Sequence, residues 1–192
     1  MTLDSLLERC RQGDELAWEA LVRRFQGQVY ALALHYVANA EEARDLAQEI
    51  FVRIYQRIHT FQGGERFVPW MIRIARNLCI DRIRWLKARR YGSEVPADQV
   101  LGLRASTPDP EQQWVASSRK RLLYRALQTM GELNREIILL KDIQGLSLEE
   151  ISTLLKVPVG TVKSRSNRAR LELARRVLDL SGGGVVPAES PS

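Results

Sequence analysis

Apolar positions recur at threes and fours along most of the chain, and no alternating strand pattern interrupts them. From Glu15 onward, Ala17, Trp18, Leu21, Val22, Phe25, Val29 and Leu32 form one such series. Asn39 is an N-cap candidate for the next helix, where Ala43, Leu46, Ala47, Ile50, Phe51, Ile54, Tyr55 and Ile58 make a broad stripe. The segment "TFQGGERF" breaks the pattern with paired glycines, which predicts a loop from Phe61 to Phe67. Pro69 suits the first turn of a third helix, whose apolar residues include Trp70, Ile74, Leu78 and Trp85.

Between Gly92 and Pro110 the periodicity vanishes, and three prolines and two glycines read as a linker. Asp109 and Pro110 then restart helix, with apolar patterns around Glu111 to Thr129 and Leu133 to Gln144. "SLEE", Ser147 to Glu150, matches a capping box, in which Ser147 accepts the Glu150 amide while Glu150 reaches back. A short helix to about Leu155 and a longer one from Gly160 to Leu178 follow. The tail "SGGGVVPAESPS" lacks core-forming residues and reads as disordered. The expected fold is all-α: two small helical domains, 1–91 and 111–180, joined by a flexible linker, 92–110, with a tail from 181 to 192.

Charge changes this picture more than composition does. The chain of 192 residues is 45% hydrophobic and 27% charged, the balance of a soluble globular protein. Its net charge of +6 is unevenly spread. Arg66 to Arg90 holds eight Lys/Arg against Asp81 alone, and Gly160 to Arg176 holds six against Glu172 alone, leaving a mildly acidic remainder. Such clustering is the footprint of polyanion binding, because each neutralised phosphate releases condensed counterions. No apolar run approaches the roughly 18 residues of a membrane helix, and the charged N-terminus lacks the core of a signal peptide, so a cytoplasmic protein is expected.

The remaining chemistry is sparse. Cys10 and Cys79 lie in no metal-binding spacing, and only His35 and His59 could join them, so buried reduced thiols are expected rather than a metal site. No nucleophile–base pair, paired-carboxylate pocket or phosphate-cradling glycine loop is visible, and no enzymatic activity or cofactor is expected.

Short helix, four-residue turn and longer helix make the segment from Ser147 a helix-turn-helix candidate. Val162, Ala169 and Leu173 fall on one face of the second helix and can pack against Ile151, Leu154 and Leu155. Lys163, Ser164, Asn167 and Arg168 form another face, where a recognition helix meets the major groove. Arg and Lys can donate to guanine O6 and N7, and Asn can pair bidentately with adenine. The alternative is an amphipathic helical hairpin with a solvated basic face.

"GLSLEEISTLLKVPVGTVKSRSNRARLEL" resembles region 4 of the bacterial extracytoplasmic-function sigma factors, which binds the −35 promoter element and the flap of RNA polymerase. The resemblance implies base or backbone contacts for Lys163, Ser164, Asn167 and Arg168, with Arg165 on phosphate. Two positions depart from the common pattern. Ser166 stands where an aliphatic residue usually joins the apolar stripe, and Lys156 takes a turn position often held by Gly.

The segment from about Leu16 to Arg90 resembles region 2 of the same family. In "EEARDLAQEIFVRIYQRIHTF" the resemblance implies a polymerase-binding helix, with Asp45, Gln48, Glu49, Phe51 and Ile54 at the clamp coiled coil. An acidic flank and an apolar stripe wider than one partner needs suit two interfaces, although a plain core helix shows the same stripe. "FVPWMIRIARNLCIDRIRWLKARR", with the loop before it, resembles the segment that opens the −10 element. There the resemblance sets Arg73, Arg76 and Asn77 against the −10 strand, and Phe61 to Phe67 around an extruded base. Aromatics, cations and loop glycines suit an unpaired strand, although Trp70 and Ile74 read better as core.

Nineteen linker residues span at most about 63–68 Å when extended, nearly two turns of B-DNA at roughly 34–36 Å each. In the family this linker enters the polymerase's RNA path. The implied function is a sigma factor that binds core RNA polymerase at clamp and flap and acts on duplex and single-stranded promoter DNA. Many family members are held inactive by an anti-sigma partner, and the resemblance admits one here. The rivals are a dimeric helix-turn-helix regulator that works without polymerase, and an adaptor whose basic faces hold acidic proteins.

Overall fold

The computed structural model describes residues 2–61, 66–91 and 118–181, and among them every regular element is helical. The chain divides into two compact units, Met1–Ser106 and Thr107–Ser192. The expected linker 92–110, the helix start at Glu111 and the tail from 182 lie outside the described residues, as do loop residues 62–65.

Among its described residues the first unit contains α1 (Leu3–Arg11), α2 (Glu15–Val37), α3 (Ala40–Arg57), a 3-10 turn (Ile58–Thr60) and α4 (Phe67–Tyr91). Sequence periodicity missed α1, although its signals are present. Thr2 caps it by accepting from the Ser5 amide, and Leu6, Leu7 and Cys10 bury one face. Asp14 caps α2 by accepting from the Ala17 amide at 3.0 Å. That bond, and then Arg9 beside it, holds the Asp14 carboxyl below its ordinary range. Asn39 caps α3 as expected, accepting from the amides of Glu41 and Glu42. Pro69 sits in the first turn of α4, where a missing N–H costs nothing.

The core of this unit lies between α2, α3 and α4. Leu21, Val29 and Leu32 of α2, Leu46, Ile50 and Ile54 of α3, and Met71, Ile72 and Ala75 of α4 are all fully buried where these three helices pack together. Each large aliphatic group removed from water contributes about 1.5–3 kcal/mol. Cys10 and Cys79 are buried free thiols, and burial pushes Cys79 up to about 12, so it stays protonated.

The second unit contains α5 (Ser118–Gln128), α6 (Glu132–Ile138), α7 (Leu148–Leu155) and α8 (Val159–Leu180), with a π turn (Leu139–Ile143) after α6. The expected single helix from Leu133 to Gln144 is thus interrupted. Residues 136–140 are all buried, an arc wider than one face of a regular helix can hide. The backbone widens there, with the Gln144 amide donating to the Leu139 carbonyl at 2.9 Å. Leu127, Met130, Ile138 and Ala169 form a core that Leu123, Tyr124, Ile143 and Leu173 cover.

Helix α7 opens on the capping box read from the sequence. Ser147 accepts from the Glu150 amide at 3.2 Å, and its own amide donates to the Glu150 carboxylate at 2.7 Å. It ends at Lys156, whose φ of 57° lies in the left-handed region. Glycine suits that position because it has no Cβ to crowd the following carbonyl. Lys156→Gly is therefore expected to stabilise this unit by about 1 kcal/mol, read as a higher thermal midpoint with DNA binding retained.

Candidate nucleic-acid and polymerase interfaces

Most of the residues singled out in the sequence lie on three exposed surfaces, each the outward side of a helix whose other side is core. On α8, Val162, Ser166 and Ala169 are fully buried, as is Ile151 of α7. This stripe turns Lys163, Ser164, Asn167 and Arg168 outward together, and all four are exposed. Arg165 lies half-buried outside that face, and its Nε has no hydrogen-bond partner among the described residues. Ser164 donates to the Thr161 carbonyl, which steadies its hydroxyl one turn from the helix start.

Ser166, the polar residue on the apolar stripe, does face inward. Its hydroxyl accepts from Lys141 Nζ at 3.2 Å, so a serine is tolerated where an aliphatic side chain would pack. One turn later Arg170 gives a two-pronged contact to Asp142, its Nε donating to Oδ2 at 3.1 Å and Nη2 to Oδ1. That carboxylate raises the Arg170 pKa. Further on, Glu172 accepts from Asn134 at 3.0 Å and pairs with Arg176 at 2.8 Å. Those two donors, Asn134 before Arg176, lower the Glu172 pKa. The basic segment thus divides: Arg170 and Arg176 hold acids, whereas Lys163, Arg165 and Arg168 form no ion pair among the described residues.

On α4, Arg73 and Asn77 are exposed and Arg76 is half-buried, successive turns of one side of the helix. The aromatics assigned to the extruded base lie elsewhere. Phe61 and Phe67 are buried, with centroids 5.6 Å apart, in a cluster completed by Phe25 and Trp70. Arg11 reaches from α1 to this cluster, donating to the Phe61 carbonyl at 2.8 Å with its guanidinium 5.4 Å from the ring. The rings therefore anchor the two ends of the glycine loop. Trp70 is core, as its place on the apolar side of the helix implied. Trp85 is 48% exposed, with the guanidinium groups of Arg82 and Arg89 at 5.8 and 4.6 Å from its ring.

On α3, Asp45, Gln48 and Glu49 are exposed, whereas Phe51 and Ile54 point into the core. Glu49, with Glu42, also braces α4 by accepting from Arg82 at 2.8 and 3.2 Å. Val52, which residue spacing did not single out, and Tyr55, which it placed on the apolar stripe, complete the outward face. Val52 is 56% and Tyr55 51% exposed, on the same side as Asp45 and Gln48. Tyr55 packs edge-on against Trp18 of α2, 5.0 Å between centroids, which holds its ring at the surface. For Tyr55 the signal was the excess width of the apolar stripe, which hides only partly beneath neighbouring helices.

Known proteins share both units. Sigma-70 region 2 matches residues 21–90, and Sigma-70 region 4 matches residues 120–173. The ECF RNA polymerase sigma factor SigW of Bacillus subtilis is 34% identical over 193 residues, covering 94% of this chain and 99% of that protein. The chain belongs to the ECF sigma factors. The ECF RNA polymerase sigma-E factor of Escherichia coli K12 is 31% identical over 185 residues, covering 94% of this chain and 96% of that one. Two solved structures share the fold, each with a TM-score of 0.61. CnrH, in complex with the cytosolic domain of CnrY, is 23% identical and covers 91% of this chain and 95% of its own. The sigma factor RpoE of Bartonella quintana, in complex with the anti-sigma factor NepR, is 20% identical and covers 85% and 96%.

As an ECF sigma factor the protein binds core RNA polymerase and promoter DNA and directs promoter-specific initiation. Both sigma regions in one chain exclude the reading as a regulator independent of polymerase. The family is one of initiation factors, not enzymes. Among the described residues no helix is long and apolar enough to cross a membrane, and no three His, Cys, Asp or Glu side chains gather to hold a metal.

The burial pattern separates side chains that hold the core from those that face solvent. Phe67→Ala is expected to destabilise the first unit by about 3–5 kcal/mol. Asn77→Ala, exposed on the same helix, is expected to stay within about 0.5 kcal/mol. Denaturant unfolding of the full chain followed by tryptophan fluorescence checks both.

Proposed function

We propose that α8 reads the −35 element, that α4 and the loop before it hold the opened −10 strand, and that the outward face of α3 binds the polymerase clamp. The observation that carries this division is the sorting of α8's cations. Lys163 and Arg168, with Ser164 and Asn167, share one solvent-facing side near the helix N-terminus, where a recognition helix meets base edges. Arg165, at the flank, reaches phosphate. Burial of Val162, Ser166 and Ala169 on the opposite side supports this choice of face.

For the −10 element the working residues are Arg73, Arg76 and Asn77. Phe61 and Phe67 serve from beneath, by pinning the loop ends, instead of stacking on a base. At the clamp, Asp45, Gln48 and Glu49 supply polar contacts, Val52 and Tyr55 supply apolar area, and Phe51 and Ile54 keep the helix in register. The second unit also meets the flap. We assign region 2 to 1–91, a linker to 92–110, region 4 to 111–180 and a tail to 181–192. The protein acts in the cytoplasm and carries out no catalytic step of its own. The Bartonella quintana relative is seen with an anti-sigma factor, and such a partner for this chain would compete for the same exposed faces.

Run-off transcription with sigma-free core polymerase tests the reading. Promoter-specific transcripts should appear only when the chain is added, and their absence on every genomic fragment would refute it. Within that assay Asn77→Ala should weaken open-complex formation while leaving binding to a duplex −35 fragment unchanged. Equal loss in both would overturn the division of labour. Arg168→Ala should cost roughly 1–3 kcal/mol at one base position; a uniform loss over all sequences would make Arg168 a phosphate contact.

A further inference from the structure

The π turn after α6 grips α8 with two adjacent residues. Lys141 donates to buried Ser166, and Asp142 takes the guanidinium of Arg170, four residues further along the same helix. The second contact is the unusual one, because it joins exposed groups across 28 residues of sequence and engages Arg170 through two nitrogens at once. Arg170 stands seven residues after Lys163 and three after Asn167, so it continues the edge of the reading face two turns beyond its start. A recognition helix meets base edges with its N-terminal residues, and a cation two turns later is set against the phosphates that flank the groove.

We propose that Asp142 is a specificity-determining residue that holds Arg170 away from the DNA backbone. This rests on the assignment of α8 as the −35 reader. A phosphate contact adds affinity for every sequence alike and steepens the salt dependence of binding. Tying up one arginine at the edge of the face lowers the sequence-independent part of binding and leaves the base contacts of Lys163, Asn167 and Arg168 intact. The discrimination between a promoter and bulk DNA rises accordingly. Lys141, half-buried, is directed to Ser166 by the same turn of backbone. The π turn matters because it sets Lys141 and Asp142 side by side against successive turns of α8.

The test measures binding of the full-length chain to two duplexes over a range of salt concentrations. One is a duplex selected from a random library by core polymerase carrying this chain, and the other is a scrambled duplex of equal composition. Asp142→Ala should tighten binding to the scrambled duplex several-fold. It should also steepen the slope of log K against log salt by about 0.9, the release expected for one added phosphate contact. Arg170→Ala should leave the wild-type slope unchanged, and Asp142→Ala/Arg170→Ala should return to it.

Three results overturn the proposal. One is an unchanged slope in Asp142→Ala. Another is a shallower slope in Arg170→Ala, which would mean that Arg170 already touches phosphate. The third is a steeper slope that persists in the double variant, which would mean that Asp142 repels DNA by its own charge. If the wild-type chain does not distinguish the two duplexes, the −35 assignment itself fails, and the proposal falls with it. Thermal unfolding of each variant verifies that the second unit is intact.

Discussion

Rotation of a helix about its own axis decides which side chains meet solvent, and in both units a narrow stripe of fully buried residues holds that rotation. Val162, Ser166 and Ala169 do so for α8, Leu46, Ile50 and Ile54 for α3, and Met71, Ile72, Ala75 and Cys79 for α4. A close-packed interior does not let such a stripe slip by one position without opening voids or forcing clashes. Each proposed interface is therefore a by-product of core packing. Lys163, Ser164, Asn167 and Arg168 face outward together because their neighbours cannot.

Polar contacts then refine what burial has set. Arg82 ties α4 to two acids on α3, and Arg11 ties α1 to the carbonyl of Phe61, so the ends of the glycine loop rest on braced helices. On α8 the ion pairs of Arg170 and Arg176 remove two cations from a segment whose formal charge suggests six equal contributors. Exposed pairs of this kind add little to stability. Their larger effect is on the potential that DNA meets, which is set by the cations left without an acid beside them.

Much of the scaffold was legible from residue pattern. The Asn39 cap, the Ser147–Glu150 capping box, the placement of Pro69 and the inward stripe of α8 all follow from local rules that act within a few residues. Helix α1 was missed, because its short apolar series, Leu6, Leu7 and Cys10 after the Thr2 cap, is diluted by charge. The break in the helix after Ile138 was not legible either, because it answers to burial on more than one side, a demand set by tertiary packing and not by the segment itself. For the same reason Phe51, Ile54, Phe61 and Phe67 could be matched to family positions while their direction stayed hidden.

By itself the sequence determined the all-helical class, the two basic segments, the helix-turn-helix and the resemblance to sigma regions 2 and 4. Those properties depend on periodicity, capping and charge, which are local or additive along the chain. Only the tertiary structure decided that Ser166 is satisfied by Lys141, that Arg170 is held by Asp142, and that Val52 and Tyr55, not Phe51 and Ile54, are offered to solvent. Each of these depends on a partner from another helix, 25 or more residues away in the first two cases. No rule of spacing within a single helix contains that partner.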